Sequence, residues 1–198
     1  MDTKGNHAGI STRPMYTFQS DTVYSLLYRE GVCYSRKEYV QKKYGESAWI
    51  FLTAYQWFVK EAGQYVALPR KDAFPYWVYG DLYSFDASGE GHLLTLDVPV
   101  DEAVFFRAAD WTQILCLRYL GEDEEDTESF YREFRLQGLR EETVMKTAFY
   151  PEWKRRIIKS WSRLFRYHEQ IKQGHTEGLG SIQAGVWCLK KEWIHMDV

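Results

Sequence analysis

Met15-Tyr-Thr-Phe-Gln19 and Leu93-Leu-Thr-Leu-Asp-Val98 are the two stretches that decide the fold class of this chain. Both are short and rich in the aromatic and branched residues that favour strands, and Pro99 ends the second. Between and after them, residues 36–61 and 151–167 show helical spacing. Strands and helices do not alternate regularly. The sequence therefore predicts an α+β fold, a single compact domain with small mixed or antiparallel sheets flanked by helices.

Further strands are predicted at Phe74-Pro-Tyr-Trp-Val-Tyr79, at Val104-Phe-Phe106 and over residues 181–189. Gly31 is expected to end a helix after the first strand, and Asp110 is expected to cap another. Pro151 suits the first turn of a basic helix.

A length of 198 residues suits one domain, which we expect over residues 15–198. Residues 1–14 are polar, lack the apolar centre of a signal peptide and are expected to form a flexible tail. No apolar run approaches the ~20 residues of a membrane span. Three widely spaced cysteines, Cys33, Cys116 and Cys188, indicate reduced thiols and a cytoplasmic location.

The composition stands out in its aromatic residues, which make up 17% of the chain. Such side chains stabilise cores and also line binding clefts, and composition does not separate the two uses. The net charge of −3 disfavours a general nucleic-acid binder. Phosphate loops, nucleophile elbows and zinc-binding helices are absent from the sequence, and the five histidines are scattered, so no metal site is predicted.

Polar residues within predicted strands are candidates for a site. Thr17 and Gln19 point to one face of the first strand, because side chains alternate along a strand. Gln183 lies near the start of the last strand. If buried, such groups close a hydrogen-bond network or face a ligand. The alternative is ordinary exposure at a sheet edge.

The helix from Pro151 carries a basic surface that includes Arg155, Arg156 and Lys159. These residues would bind a phosphate-bearing ligand, RNA or an acidic protein partner. The alternative is a helix packed on the core with a solvated charged face. The acidic run at residues 122–126 would then supply counter-charge from within the chain.

Seven segments together resemble a bacterial family known only as a domain of unknown function, number three-eight-four-one. They run in the family's order from Met15 nearly to the C-terminus: Tyr16-Thr-Phe-Gln19, Ala54-Tyr-Gln-Trp57, Tyr76-Trp-Val-Tyr79, Leu96-Asp-Val-Pro99, Ala109-Asp-Trp111, Lys159-Ser-Trp161 with Leu164-Phe165, and Ile182-Gln183 with Trp187 and Glu192-Trp193. This resemblance implies no activity.

The order of the strands also resembles ADP-ribosyltransferase-like domains, which hold NAD between two small sheets and split its glycosidic bond. That resemblance implies catalytic positions at Thr17 and Gln183, and places Tyr79 near the nicotinamide. Thr17 replaces the usual His or Arg, and Gly185 stands where a catalytic Glu would follow. A binding version without catalysis is therefore as consistent with the sequence as an enzyme.

Three functions are left open by the sequence. One is a ligand- or partner-binding module with an aromatic cleft, which recognises a nucleotide, RNA or a protein through its aromatic and basic surfaces; Gln19, Trp77 and Tyr79 are the residues expected to bind a cofactor. The second is an NAD-dependent ADP-ribosyltransferase or NAD glycohydrolase that uses Thr17 and Gln183 as well. The third is an accessory protein of a toxin or defence operon. Whether the chain is an enzyme stays undecided at this level.

Overall fold

A computed structural model describes residues 11–84 and 89–195. The predicted tail, residues 1–14, lies mostly outside this range. The first strand, β1, runs from Thr12 to Gln19, so its pairing begins three residues before Met15.

Five strands form one antiparallel sheet, and two short strands form another. The larger sheet has the order β4-β1-β3-β6-β5. Its strands are β1, β3 (Tyr76–Tyr79), β4 (His92–Pro99), β5 (Ala103–Arg107) and β6 (Ile182–Val186). The second sheet pairs β2 (Val32–Cys33) with β7 (Leu189–Lys190). The predicted α+β class with small antiparallel sheets is confirmed.

Eight α-helices are described around these sheets. They are α1 (Asp21–Glu30), α2 (Lys37–Tyr44), α3 (Ala48–Ala62), α4 (Ala108–Leu115), α5 (Glu124–Leu136), α6 (Glu141–Lys146), α7 (Pro151–Ser160) and α8 (His168–Lys172). Gly31 ends α1 with a φ of 77°, a conformation that glycine adopts without strain, and its N–H donates to the carbonyl of Leu27. Pro151 begins α7, as its fixed φ predicts.

Two predicted helix boundaries need correction. Asp110 does not cap α4, because that helix begins at Ala108 and Asp110 lies buried in its first turn, 3.3 Å from the guanidinium of Arg166. The helix predicted from Pro151 to Tyr167 changes to a tighter 3₁₀ helix at Trp161.

The large sheet separates two hydrophobic clusters. One face of β3, β5 and β6 packs against α1, α8 and the small sheet, with Val78, Phe105 and Ala184 at its centre. The opposite face packs against α3, α4 and α7, and there Phe58 contacts the rings of Trp77, Phe106 and other aromatic residues. Most of the aromatic excess seen in the sequence is therefore core packing.

Candidate functional site

The neighbouring strands β1 and β3 are paired at one position only and then diverge. β1 pairs with β4 along all eight of its residues, but with β3 only where Tyr16 lies opposite Tyr79. Beyond that position, the Thr17 hydroxyl donates a 3.0 Å hydrogen bond to the carbonyl of Trp77. A cavity of about 390 Å³ opens where the strands separate, and we refer to it as the β1–β3 cavity.

Aromatic rings form most of its wall. The rings come from β1, from β3 and from the helices opposite, and comprise Phe18, Tyr39, Tyr44, Tyr55, Tyr76, Trp77 and Tyr79. The α2 side is held in place because the ring of Tyr44 stacks on Phe51 of α3, with centroids 3.7 Å apart. Flat rings on two sides of a cavity of this size favour a flat ligand.

The polar groups from β1 are oriented by a short chain of hydrogen bonds. A carbonyl can only accept, so the Thr17 hydroxyl must donate to Trp77, and its oxygen is then an acceptor. The atom of Gln19 that lies 2.7 Å from this oxygen must be the amide nitrogen. The amide oxygen of Gln19 is therefore left as an acceptor at the cavity wall. Thr17 is buried, with 1% of its surface exposed, so sheet-edge exposure does not describe this pair.

Burial keeps the hydroxyls of Tyr55 and Tyr79 protonated by raising their pKa values. Burial, together with the neighbouring Tyr44, raises the pKa of Tyr79 to about 12. Burial also raises the pKa of Tyr55, which lies beside Tyr44 and the Trp77 indole. Such hydroxyls donate hydrogen bonds to a ligand throughout the neutral pH range.

The Trp77 indole N–H is closed off from the cavity. It is buried beside the Tyr55 hydroxyl and makes no hydrogen bond of normal geometry with any described residue. What Trp77 offers to the cavity is its ring.

The charge at the cavity is positive and comes from one residue. Lys43 is exposed on α2, lines the cavity and lies 5.3 Å from the centre of the Tyr44 ring. Among the described residues, no carboxylate and no histidine contributes to the lining. The arrangement can bind a flat, acceptor-rich or anionic molecule, but it offers no evident general base.

Four of the five residues that the sequence predicted around a cleft do share this cavity: Thr17, Gln19, Trp77 and Tyr79. Gln183 does not line it. That side chain is 4% exposed on β6, in register with Tyr79 on one side and Phe106 on the other. The strands β1 and β6 thus belong to one sheet, but β3 lies between them.

Steric crowding explains why residue 185 is a glycine. A Cβ atom at this position would lie 2.6 Å from the Phe58 ring and 3.2 Å from the Trp77 ring. The carboxylate that the ADP-ribosyltransferase resemblance would require here has no space in this fold.

Sequence reasoning missed the α2 residues Tyr39, Lys43 and Tyr44. Their spacing of four and five positions places them near one another on a helix, but no local pattern indicates that α2 faces β3. Only the tertiary contact brings them to the cavity.

The basic helix α7 has cations that are largely paired within the chain. Arg155 pairs with Glu152 of its own helix, and Arg156 lies 2.8 Å from Glu133 of α5. Arg163, just beyond α7, lies 3.4 Å from Asp126. The acidic run does therefore supply counter-charge. Lys159 makes no ion pair or side-chain hydrogen bond with the described residues.

The fold and site together define an α+β domain with an aromatic cavity at the point where two neighbouring strands separate. The chain belongs to the family described as Domain of unknown function (DUF3841), whose model matches residues 14–195. This confirms the first resemblance drawn from the sequence segments. The likeness to ADP-ribosyltransferase-like domains gains no support and stays a prediction. No curated protein and no solved structure matches the chain.

Two further kinds of feature are absent from the described part of the chain. None of its helices has the length and apolar character needed to cross a membrane. No group of three or more His, Cys, Asp or Glu side chains is placed there to hold a metal ion.

Proposed function

We propose that this protein is a binding module whose β1–β3 cavity holds a nucleotide-like ligand, a molecule with a flat ring and a phosphate group. The observation that carries the proposal is the convergence of Thr17, Gln19, Trp77 and Tyr79 with a single cation, Lys43, on one aromatic cavity.

Each part of such a ligand has a counterpart in the wall. The ring would stack on the aromatic side chains, and its polar edge would meet the Gln19 amide oxygen. A phosphate at the mouth would pair with Lys43. The volume of about 390 Å³ falls within the usual range for small-ligand sites.

Titration of tryptophan fluorescence with AMP, ADP-ribose and NAD tests this proposal, because Trp77 lies in the cavity wall. We expect saturable binding of at least one of these ligands. Lys43→Met should weaken it about tenfold, the effect of one lost charge-assisted contact. Lys42→Met is the matched control, since Lys42 is the preceding lysine of α2 and does not line the cavity.

Two results would overturn the proposal. One is the absence of saturable binding of all three ligands. The other is an equal loss of affinity in the Lys43 and Lys42 variants, because non-specific attraction to the surface of α2 would then explain the binding.

NAD cleavage is the second candidate, and the same four cavity residues favour it. Against it, Gln183 lies outside the lining, and no carboxylate is present there to stabilise an oxocarbenium-like transition state. We expect NAD incubated with the protein to remain intact. Release of nicotinamide that disappears in Gln183→Ala would reverse the ranking of the two candidates. No feature of the described residues favours an accessory role in a toxin or defence operon.

A further inference from the structure

A second cavity, of about 300 Å³, lies against α7 and the 3₁₀ helix that follows it. Its lining comprises Tyr119, Arg156, Lys159, Ser160, Ser162 and Arg163. We propose that this α7 cavity is a binding site for a phosphate-type oxyanion, separate from the β1–β3 cavity.

The three cations share one side of the helix because of their spacing. Lys159 and Arg163 follow Arg156 by three and seven positions, and residues at these offsets lie on the same face of a helix. Arg155 is one position off this face and does not line the cavity. The sequence predicted a basic surface of Arg155, Arg156 and Lys159. In the cavity, Arg163 takes the place of Arg155.

Arg156 is held in place before any ligand arrives. Its guanidinium lies 4.5 Å from the centre of the Trp153 ring and 5.0 Å from that of Phe130, and it donates to Glu133. Stacking and a single ion pair leave several of its five N–H donors unused.

Arg163 is fixed from the other side. Its guanidinium donates to the carbonyl of Leu120 at 2.8 Å and to the hydroxyl of Tyr119 at 3.2 Å. With two arginines ordered by their neighbours, little conformational entropy is lost when an anion binds between them. Lys159 adds a third charge that no described carboxylate neutralises.

The remaining polar groups of the lining do not compete for this role. The Ser160 hydroxyl is committed, because it donates to the Ile157 carbonyl and accepts from the N–H of Leu120. The Ser162 hydroxyl donates to the carbonyl of Lys159, and that of Tyr119 donates to Asp126. Recognition must therefore come from the cations. The lining itself contains no carboxylate, although Glu133, Asp126 and Glu122 lie within 4.0 Å of its arginines.

Three converging cationic donors favour an anion with at least three acceptor oxygens and more than one negative charge. Phosphate satisfies both conditions, whereas a single carboxylate has only two oxygens. The paired carboxylates Glu133 and Asp126 reduce the local charge, so we expect weak binding that falls as salt is added.

Phosphorus NMR of inorganic phosphate and of pyrophosphate, titrated with the full chain in a chloride buffer, tests the site. We expect saturable binding, weakened about fivefold in Lys159→Gln. Arg155→Gln, a change of charge on the same helix outside the cavity, should alter the affinity by less than about twofold.

Equal affinities in the two variants, or a linear response without saturation, would overturn the proposal. Tighter binding of pyrophosphate than of phosphate would support the site and identify a diphosphate as its preferred form. A saturable phosphate response that persists in Lys43→Met and is weakened in Lys159→Gln belongs to the α7 cavity, which keeps the result distinct from the nucleotide proposal.

Discussion

The β1–β3 cavity and the helix α7 present two opposite ways of placing polar groups. At the cavity, Thr17 and Gln19 are uncharged, largely removed from water and joined in a chain whose last acceptor is left open. Along α7 the groups are charged and exposed, and Arg155 and Arg156 are already paired with carboxylates. The polar residues within the strand thus line a cavity, whereas the two arginines on the helix form ion pairs within the chain.

Of the substitutions that test this comparison, we expect Thr17→Val to have the largest effect on stability. The substitution keeps the shape of the side chain but leaves the Trp77 carbonyl and the Gln19 amide without their partner. We expect a loss of about 1–3 kcal/mol in the free energy of unfolding, together with loss of nucleotide binding. Urea denaturation measures the stability.

Thr112→Val provides the control for that experiment. The Thr112 hydroxyl bonds to the Ala108 carbonyl on the solvent-exposed face of α4, so its removal should cost less than about 0.5 kcal/mol. If both valine variants had the same stability, the chain of hydrogen bonds at the cavity would have no special role.

An intermediate effect is expected from Arg163→Met, which compares two arginines of the basic surface. Arg163, in the 3₁₀ helix after α7, donates a hydrogen bond to the Leu120 carbonyl, and its side chain is 29% exposed. We expect its loss to cost about 1–2 kcal/mol. Arg155→Met should change stability by less than about 0.5 kcal/mol, because its ion pair is exposed. Similar values for both would show that pairing within the chain contributes nothing at Arg163.

The smallest effect that we expect is a dependence of stability on pH, caused by His168 at the start of α8. Burial lowers the pKa of His168 below its usual 6.5, although Glu169 partly opposes this, and its Nδ1 accepts from the N–H of Phe105. The unfolded chain therefore takes up the proton at a higher pH than the folded chain. Stability should be intact above pH 6.5 and decline as the pH falls through that value.

Thermal unfolding at a series of pH values measures this decline, and His168→Gln should flatten it between pH 7 and the folded pKa. Curves that stay parallel for the two proteins would assign the acid sensitivity to other groups.

Local patterns were enough to predict most of the elements of the fold. Gly31 and Pro151 mark helix boundaries through backbone geometry alone, and both predictions are confirmed. Asp110 was misassigned because capping residues and buried first-turn acids look alike in sequence. The order of the strands had no local signal, since it depends on contacts between segments far apart in the chain.

The candidate site divides in the same way. Alternation along β1 led to Thr17 and Gln19, and the aromatic strand with the ADP-ribosyltransferase resemblance led to Trp77 and Tyr79; all four line the cavity. The assignment of Gln183 to the cleft assumed that β6 lies beside β1, but β3 lies between them. The carboxylates that pair with Arg156 and Arg163 come from α5, and a sequence does not show which charges across two helices meet.

β6 is the last strand of the large sheet in chain order and occupies an interior place in it, between β3 and β5. Until β6 has been synthesised, the edges of β3 and β5 with which it pairs are exposed. The first strand also remains unpaired at first, since its partners in β4 follow it by about 70 to 90 residues. The large sheet is therefore completed late in the synthesis of this domain, and unfinished chains are the form most exposed to aggregation.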